Sequence, residues 1–513
     1  MAVATNAKAR WSQLDGKRQP LIRRTEKYAG FTIAKLCTPE GYDQNTDELQ
    51  HDFQAVGAQA VNHLANKIML ALFAPSRPFF RLDPSVKLRN ELMKAGVDEN
   101  KLNELLSLGE KEAISELDRM SLRPKLYEAI KHLIVTGNVL LILEDETRVV
   151  GLKNYCVRRS QTGRVLEILH RDRLTFDELV EDVQIAMMYI DKTYETKPDK
   201  EVCLYRWIKR LPNGNFHVEQ WVDQHQLPAD FSTVYEPDQL PYRVLTWDLS
   251  DDAHYGTGLV EDYQGDFAGL STLSKSQVIA AVLCSEFRWL VNPAGQTKPE
   301  DLMASENGAA LPGTKEDINL IQSGKAGDMQ IVQAIGQEYI QRIGRGFLLG
   351  SAVTRDAERV TAEEIRMQAT ELETSLGGAY SRLAVDFQIP LSYYLLARIN
   401  FKINGSEVRP SIVTGLDALS RNGDVENLKL WLADMGALQT LSPQLLAVLR
   451  QDQIAADLAA ARRIKVDKYM KTPEEIKQEQ QQAMFMQAQA QAAAKGIDTA
   501  GNVAEHNATQ GQA

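Results

Sequence analysis

The sequence is poor in cysteine, with four in 513 residues. Cys37, Cys156, Cys203 and Cys284 lie far apart and form no C-x-x-C pair. Zinc sites and disulfide frameworks need several cysteines at short, regular spacings. The pattern therefore argues against both, and the isolated thiols suit a reducing compartment such as the cytoplasm.

Long hydrophobic runs are also missing. The longest, at residues 68–73 and 133–143, are shorter than the roughly 20 apolar residues that a membrane-spanning helix needs. The first residues, MAVATNAKARW, contain no apolar segment of the kind found in signal peptides. We therefore expect a soluble intracellular product that has no membrane partner.

Catalytic motifs are absent, because no H-E-x-x-H, G-x-S-x-G or C-x-x-C-H sequence occurs. The nearest approach to a phosphate-binding loop is GAALPGTK, Gly308 to Lys315, where lysine and threonine are reversed and no strand-to-helix transition frames the loop. His254 lies beside Asp251 and Asp252, and a solvated loop explains that cluster. The sequence predicts no enzymatic activity, no cofactor and no metal site.

An excess of positive charge is lacking too, since the formal net charge is −11. Proteins that coat DNA neutralise its phosphates with basic surfaces, so this chain is not expected to grip DNA. Acidic walls would instead allow a duplex to slide past. The length of 513 residues allows two to four domains or one elongated multidomain subunit.

What the chain does contain is helical periodicity interrupted by a β-rich region. Residues 1–135 are predicted to be mostly helical, and Val61, Leu64, Ile68 and Leu72 make one apolar stripe. Two hairpins are predicted between residues 139 and 247, with turns at residues 161–163 and 212–214. The fold class is therefore α+β, mainly helical.

The helical pattern returns in two long segments, residues 258–290 and 328–349. Between them, residues 291–327 are rich in proline and glycine, which predicts turns around short extended pieces. Residues 424–469 suggest several short helices. Residues 474–495 are rich in glutamine and alanine, which favours a weak helix that needs neighbours.

A charged loop leads into a strongly marked helix after residue 348. Thr361 and Glu364 form an S/T-x-x-E capping box, in which each side chain accepts from the other residue's backbone N–H. The apolar stripe behind the cap is predicted to end before Pro390. Gly377 and Gly378 interrupt it, and a glycine pair within a helix is a cause of kinks. The apolar positions are Ile365, Ala369, Leu372, Leu376, Ala379, Leu383 and Phe387.

Several blocks resemble the portal (head-to-tail connector) proteins of short-tailed, podovirus-type bacteriophages. VTAEEIR at residues 360–366, followed by the run that ends at Ser381, is the most informative. QAVGAQAVNHLANKIMLALF at 54–73 and YGTGLVEDYQGDFAGL at 255–270 are similar to further blocks of that family. Residues 291–295 and 411–419 extend the resemblance in the family's order.

The resemblance implies a portal-type subunit with a wing, long stem helices, a small clip and a helical crown. The implied segments are wing 1–257, stem helix 258–290, clip 291–327, second stem helix 328–349, channel loop 350–360, wing helix and return segment 361–422, crown 423–478, and a partly disordered Gln/Ala-rich tail 479–513. It further implies a ring, twelve subunits in number, at one capsid vertex of the virion. Its partners would be double-stranded DNA in the channel, terminase, a tail adaptor, and scaffolding and major capsid proteins.

Three sets of residues are candidates for this function. Arg355 and Arg359 of the loop would contact passing DNA or form salt bridges between subunits. Gly377 and Gly378 would act as a hinge. Lys298, Lys315 and Lys325 of the clip lie among acidic residues, a mixture that favours a protein-facing surface.

Two other functions remain open from the sequence. A tail adaptor or minor capsid protein would also be a structural ring component of a virion. A packaging ATPase such as the large terminase would require a phosphate-binding loop, which the sequence lacks.

Overall fold

The computed structural model describes residues 6–74, 78–94, 99–196, 199–285, 288–321, 326–349, 371–372, 374–401 and 408–412. The chain divides into two units, Met1–Leu416 and Asp417–Ala513, and every described residue belongs to the first. The predicted crown and Gln/Ala-rich tail therefore lie outside the described residues.

Helices and strands alternate irregularly along the chain, which confirms a mixed helical and sheet architecture. The helices are α1 Ala7–Phe31, α2 Val56–Leu72, α3 Val86–Lys94, α4 Glu99–Arg119, α5 Leu122–Thr136, α6 Glu181–Ile190, α7 Leu259–Asp262, α8 Gln264–Ser285, α9 Pro299–Ala304, α10 Ala326–Gly346, α11 Gly378–Leu383 and α12 Ile389–Arg398. The strands are β1 Phe80–Pro84, β2 Asn138–Ile142, β3 Arg148–Val150, β4 Tyr155–Arg159, β5 Val165–Thr175, β6 Glu201–Arg210, β7 Phe216–Val222, β8 His225–Gln226, β9 Thr233–Tyr235, β10 Tyr242–Thr246, β11 Arg288–Val291, β12 Ile318–Ile321 and β13 Val408–Ile412.

The largest hydrophobic core is built from helices. The predicted stripe of α2 is buried, with Val61, Leu64, Ile68 and Leu72 each at most 2% exposed. This stripe packs against the apolar face of α5 and against residues from α8, α10, α11 and α12. Residues distant in sequence thus share one core, which fixes α8 and α10 to the N-terminal helices.

The β-rich region forms a six-stranded antiparallel sheet in the order β4-β5-β6-β7-β8, with β9 also paired to β7. Both predicted hairpins, β4–β5 and β6–β7, are confirmed. Alternate residues of each strand face opposite sides of the sheet. Trp11 of α1 packs on the side of Tyr205, and α6 covers the side of Leu204.

The helix predicted to end before Pro390 does not end there. The backbone passes through a π-helical turn, Ala384–Gln388, and continues as α12, where Pro390 lies in the first turn. Proline costs no hydrogen bond in a first turn, because the N–H groups there have no helical acceptor. The buried Gln388 side chain also anchors this turn, since its Nε2 donates to the carbonyl of Leu72 at 2.6 Å.

The first long helical segment is shorter than predicted. α8 ends at Ser285, and β11 begins at Arg288 within the segment predicted to be helical up to residue 290. β11 pairs with β12, so Trp289 faces Leu320 across the ladder. Pairing with a distant strand thus outweighs the local helical pattern.

Candidate functional site

The hairpin formed by α8 and α10 is anchored at one end in the helical core. Phe267 and Phe347 are fully buried, and their ring centroids lie 5.7 Å apart. Tyr263 meets the same Phe347 ring at 5.6 Å. A Cβ at Gly346 would lie 2.2 Å from the Tyr263 ring, so only glycine allows this close approach. The base of the hairpin is therefore rigid.

The two helices run antiparallel and become exposed away from this base. Val278, Ile279 and Val282 of α8 are 51%, 50% and 54% exposed. Ile331 and Ile335 of α10 are 61% and 41% exposed. Residues four apart lie on one helical face, so each helix presents a pair of apolar side chains that the described part of the chain leaves about half exposed. Five half-exposed β-branched residues on two adjacent helices are typical of an association surface.

A small module connects α8 to α10. It contains the β11–β12 ladder, α9 and a short 3-10 turn, Lys315–Asp317. Asp317 holds the module together, because its carboxylate accepts from the N–H groups of Gln296 at 3.1 Å and Thr314 at 3.2 Å. Backbone hydrogen bonds, that of Thr314 first, lower the pKa of Asp317. The Asp317 side chain is buried, whereas its neighbour Glu316 is exposed.

The candidate clip lysines lie on the surface of this module. Lys298 immediately precedes α9, and Lys315 begins the 3-10 turn, and both are exposed. Met303 of α9 is 88% exposed between them in sequence. Lys325 lies outside the described residues. The module thus exposes an apolar side chain together with charges of both signs, and we find no hydrogen bonds here that would form a catalytic arrangement.

The glycine pair, Gly377 and Gly378, lies within the apolar stripe that was predicted to follow the helix cap. Gly377 has φ +48° and ψ −115°, a conformation that side chains with a Cβ rarely adopt, and α11 begins at Gly378. The described part of the predicted apolar stripe is buried on both sides, at Leu372, Leu383 and Phe387. Other candidates cannot be placed in the same way, because Arg355, Arg359, Thr361 and Glu364 lie outside the described residues.

The structure brings together no catalytic chemistry in its described part. No group of three or more His, Cys, Asp and Glu side chains in that part is arranged to hold a metal ion. The former phosphate-loop candidate, residues 308–315, is an exposed loop that leads into the 3-10 turn. None of the described helices is both long and apolar enough to cross a bilayer. Cys37, Cys156 and Cys203 are free thiols, and burial raises the pKa of Cys156 to about 12.

His254 has a structural role in its loop. Its Nδ1 accepts a hydrogen bond from the Arg159 backbone N–H at 3.3 Å. Burial, followed by the charges of Arg158 and Lys17, lowers the pKa of His254. The His254 side chain is nevertheless exposed, which agrees with the solvated loop that the sequence predicted.

Two buried carboxylates in β5 were missed from the sequence. Asp172 accepts from Arg148 at 2.6 and 2.9 Å and from Arg206 at 2.8 Å, and the Nε2 of His170 lies 3.2 Å from it. Burial raises the pKa of Asp172, but the contacts with His170 and Arg148 outweigh it and lower the pKa far below its usual range. The other carboxylate is Glu167, which pairs with Arg10, Arg158 and Trp207.

The sequence of this chain matches a family of known proteins. The family model for bacteriophage head to tail connecting proteins matches residues 4–465. The chain belongs to that connector family. The predicted family resemblance is thereby confirmed.

Curated relatives support the same assignment. The chain is 33% identical over 511 residues to the portal protein of Enterobacteria phage T3, covering 96% of this chain and 92% of that protein. It is 31% identical over 495 residues to the portal protein of Enterobacteria phage SP6, covering 94% and 92%. The portal protein of Pseudomonas phage phiKMV is 31% identical over 501 residues, covering 95% and 96%.

Similar solved structures come from gene transfer agent particles. One is from the neck of a native particle, with a TM-score of 0.35 and 14% identity over 80% of this chain and 90% of that chain. Another is from the neck of an empty particle, with a TM-score of 0.37 and 14% identity over 77% and 90%. These scores are too low to carry an argument about fold. The assignment rests on the family and the phage relatives, which make this chain a portal-type virion component at the capsid vertex.

Proposed function

We propose that this chain assembles into a closed ring of identical subunits that conducts double-stranded DNA during packaging and ejection. The observation that carries this proposal is the exposed apolar face of the α8–α10 hairpin, at Val278, Val282 and Ile335. An apolar face of this size on an otherwise anchored hairpin is stabilised when it packs against the same hairpin of a neighbour. Twelve subunits are proposed from the family resemblance alone.

The described segments fit the division of a portal subunit. The wing would comprise residues 1–257 and return through residues 361–422. The stem would be α8 and α10, and the clip would be the module between them. The loop 350–360, the crown 423–478 and the tail 479–513 complete the division and lie outside the described residues.

The clip is the proposed attachment surface for terminase and later for the tail adaptor. Its apolar Met303 and the charges Lys298 and Lys315 make a mixed surface of the kind that protein partners bind. The scaffolding and major capsid proteins would contact the wing. The net charge of −11 per subunit favours a channel that does not hold DNA tightly.

The loop 350–360 is proposed to line the channel. Arg355 and Arg359 would then contact the phosphates of passing DNA or pair with acidic residues of neighbouring subunits. Exposed ion pairs contribute little to stability, so the two roles differ mainly in their effect on DNA movement.

The glycine break at Gly377 and Gly378 is proposed to act as the hinge that lets this loop move. Replacing both by alanine is expected to lower the fraction of heads that fill with DNA. Alanine at Gly377 disfavours its positive φ, and alanine at Gly378 favours helix by up to about 1 kcal/mol. DNA per purified head is the measurement. Gly16→Ala in α1, where a Cβ meets nothing within 4 Å, is the control, and normal filling by the double variant would count against the hinge.

The proposed conduit is tested by removing the gene for this chain from the phage. Without it we expect heads that contain no DNA, and supplying the chain from a plasmid should restore filled, infectious particles. A purified chain that hydrolyses ATP in a DNA-dependent way would instead support the packaging ATPase. Filled and tailed particles in the absence of the chain would contradict the proposal.

A further inference from the structure

Helix α6 exposes an apolar surface that is separate from the stem. Val183 and Met187 face the sheet and are buried, yet Tyr189 is 87% exposed, Ile185 47% and Ile190 41%. Exposed apolar side chains that cluster in one place are typical of an association surface. We call the exposed side, together with the adjoining loop residues Pro228 to Phe231, the α6 patch; it surrounds a shallow depression.

The α6 patch has negative charge within it. Asp182, Ile185 and Tyr189 follow one another at steps of three and four, so they lie on one helical face. Asp230 lines the same depression from the loop between β8 and β9. Neither Asp182 nor Asp230 forms an ion pair within the described part of the chain. A partner for this patch should therefore be apolar and basic.

Such a surface exists elsewhere on the same chain. Arg10, Lys17 and Arg24 recur every seven residues along α1, and Leu14 and Leu21 lie between them, so cations and leucines share one face. They line a groove of about 470 Å³, which we call the α1 groove. Its opposite wall is formed by Val157, Arg158 and residues 254–257.

The α1 groove has an excess of positive charge. Arg10 and Arg158 share one carboxylate, Glu167. The buried Arg18 pairs with Asp15. Lys17 and Arg24 are exposed and form no ion pair among the described residues. The α1 groove thus offers two cations next to leucine side chains. The α6 patch offers two aspartates next to exposed tyrosine and isoleucine, so the two surfaces are complementary.

The two surfaces lie at different edges of the six-stranded sheet. The α1 groove is at the β4 edge, where Trp11 packs on one side of the sheet with Tyr205 and Leu21 packs on the other side with the cluster of Val157. The α6 patch is near the β7–β8 edge, and α6 packs on the side of Val202 and Leu204. One subunit cannot join its own two surfaces across the sheet. Subunits arranged head to tail around an axis need two different, complementary surfaces of this kind.

We propose that the α6 patch of one subunit docks into the α1 groove of the next subunit, forming a second contact of the ring outside the stem. Tyr189 and Ile185 would cover Leu14 and Leu21. Asp182 and Asp230 would pair with Lys17 and Arg24. This inference rests on the proposed ring. It adds a pair of surfaces that would join neighbouring subunits outside the stem.

Charge reversal tests this contact on the full-length chain. The groove variant is Lys17→Glu with Arg24→Glu, and the patch variant is Asp182→Lys with Asp230→Lys. Each alone should raise the concentration at which half of the subunits assemble by at least about tenfold, because like charges would then face each other. Mass photometry over a range of concentrations measures that midpoint, and circular dichroism confirms that each variant is folded.

The decisive arm is an equimolar mixture of the two variants. Each interface in an alternating ring then pairs opposite charges again, so assembly should return to near the wild-type midpoint. Lys125→Glu and Glu112→Lys, exposed charges outside both surfaces, are the controls and should assemble normally.

Four results separate the possible outcomes. Wild-type rings with normal assembly of either reversed variant would overturn this contact and leave the ring intact. Failure of the mixture to recover would also overturn it, as would loss of DNA binding by a groove variant that still forms rings. A wild-type chain that never forms rings would instead contradict the proposed function itself.

Discussion

Val278→Glu combined with Val282→Glu is expected to leave the subunit folded and to abolish ring formation. Both valines are about half exposed in the isolated subunit, so charge there costs little folding energy. In a ring the two glutamates would be buried against a neighbouring hairpin without partners. That costs each contact at least about 3 kcal/mol, or more than about a hundredfold in the association constant.

Sedimentation velocity of the purified variant measures this effect directly. We expect subunit-sized species at concentrations where the wild-type chain forms only rings. Gln333→Glu with Gln337→Glu is the matched control, because it adds two charges four residues apart on an exposed polar stripe of α10. If the valine variant assembled as readily as this control, the apolar face of the hairpin would have no role in the ring.

Asp172→Asn is expected to destabilise the β-rich part of the subunit by about 2 kcal/mol, because the buried position loses charge-assisted hydrogen bonds from Arg148 and Arg206. Asp172 is 8% exposed and binds both Arg148 and Arg206. The midpoint of urea unfolding, followed by the fluorescence of Trp207 and Trp221 in the same sheet, is the measurement.

The stability that Asp172→Asn loses depends on pH in a defined direction. The folded state lowers the pKa of Asp172, so its contribution is present in full above the ordinary carboxylate pKa and is lost as the pH falls towards the lowered value. The variant and the wild type should therefore approach one another in acid. Glu91→Gln, in the exposed pair with Lys87, should cost under about 0.5 kcal/mol. An Asp172→Asn midpoint equal to that of this control would refute the structural role of the cluster.

Elements with a strong local pattern could be predicted from the sequence. The stripe of α2 needed only the spacing of Val61, Leu64, Ile68 and Leu72, and all four are buried. The hairpins needed only turn residues such as Gly163 and Gly214 between alternating strands, and both glycines have the positive φ that such turns use. In each case the determining residues lie within a few positions of one another.

Features that depend on distant residues could not be predicted in this way. β11 forms because β12 pairs with it across the clip, and Pro390 is tolerated because a π-helical turn precedes it. Asp172 is buried where β3 and β6 come close to β5. Arg148 of β3 and Arg206 of β6 both donate hydrogen bonds to its carboxylate. The sequence does not indicate which side chains point inward at this position, because His170, Arg171 and Asp172 are all polar.

In the α6 patch and the α1 groove, too, some features depend on local residues and others on distant ones. Helix α6 carries apolar residues on more than one face, and this could have been noticed in the sequence between Ile185 and Ile190. Which of its faces remains exposed depends on how Val183 and Met187 meet the sheet. Likewise, the spacing of Arg10, Lys17 and Arg24 is visible in the sequence, but the wall opposite them comes from β4 and residues 254–257.

The central claim is that identical subunits close into a ring around a hollow axis. Negative-stain electron microscopy of the purified full-length chain, together with its native mass, tests this claim most directly. We predict closed rings with a central hole wide enough for a DNA duplex and a mass of twelve subunits of 57.4 kDa each. A chain that remains monomeric at every concentration would contradict the account.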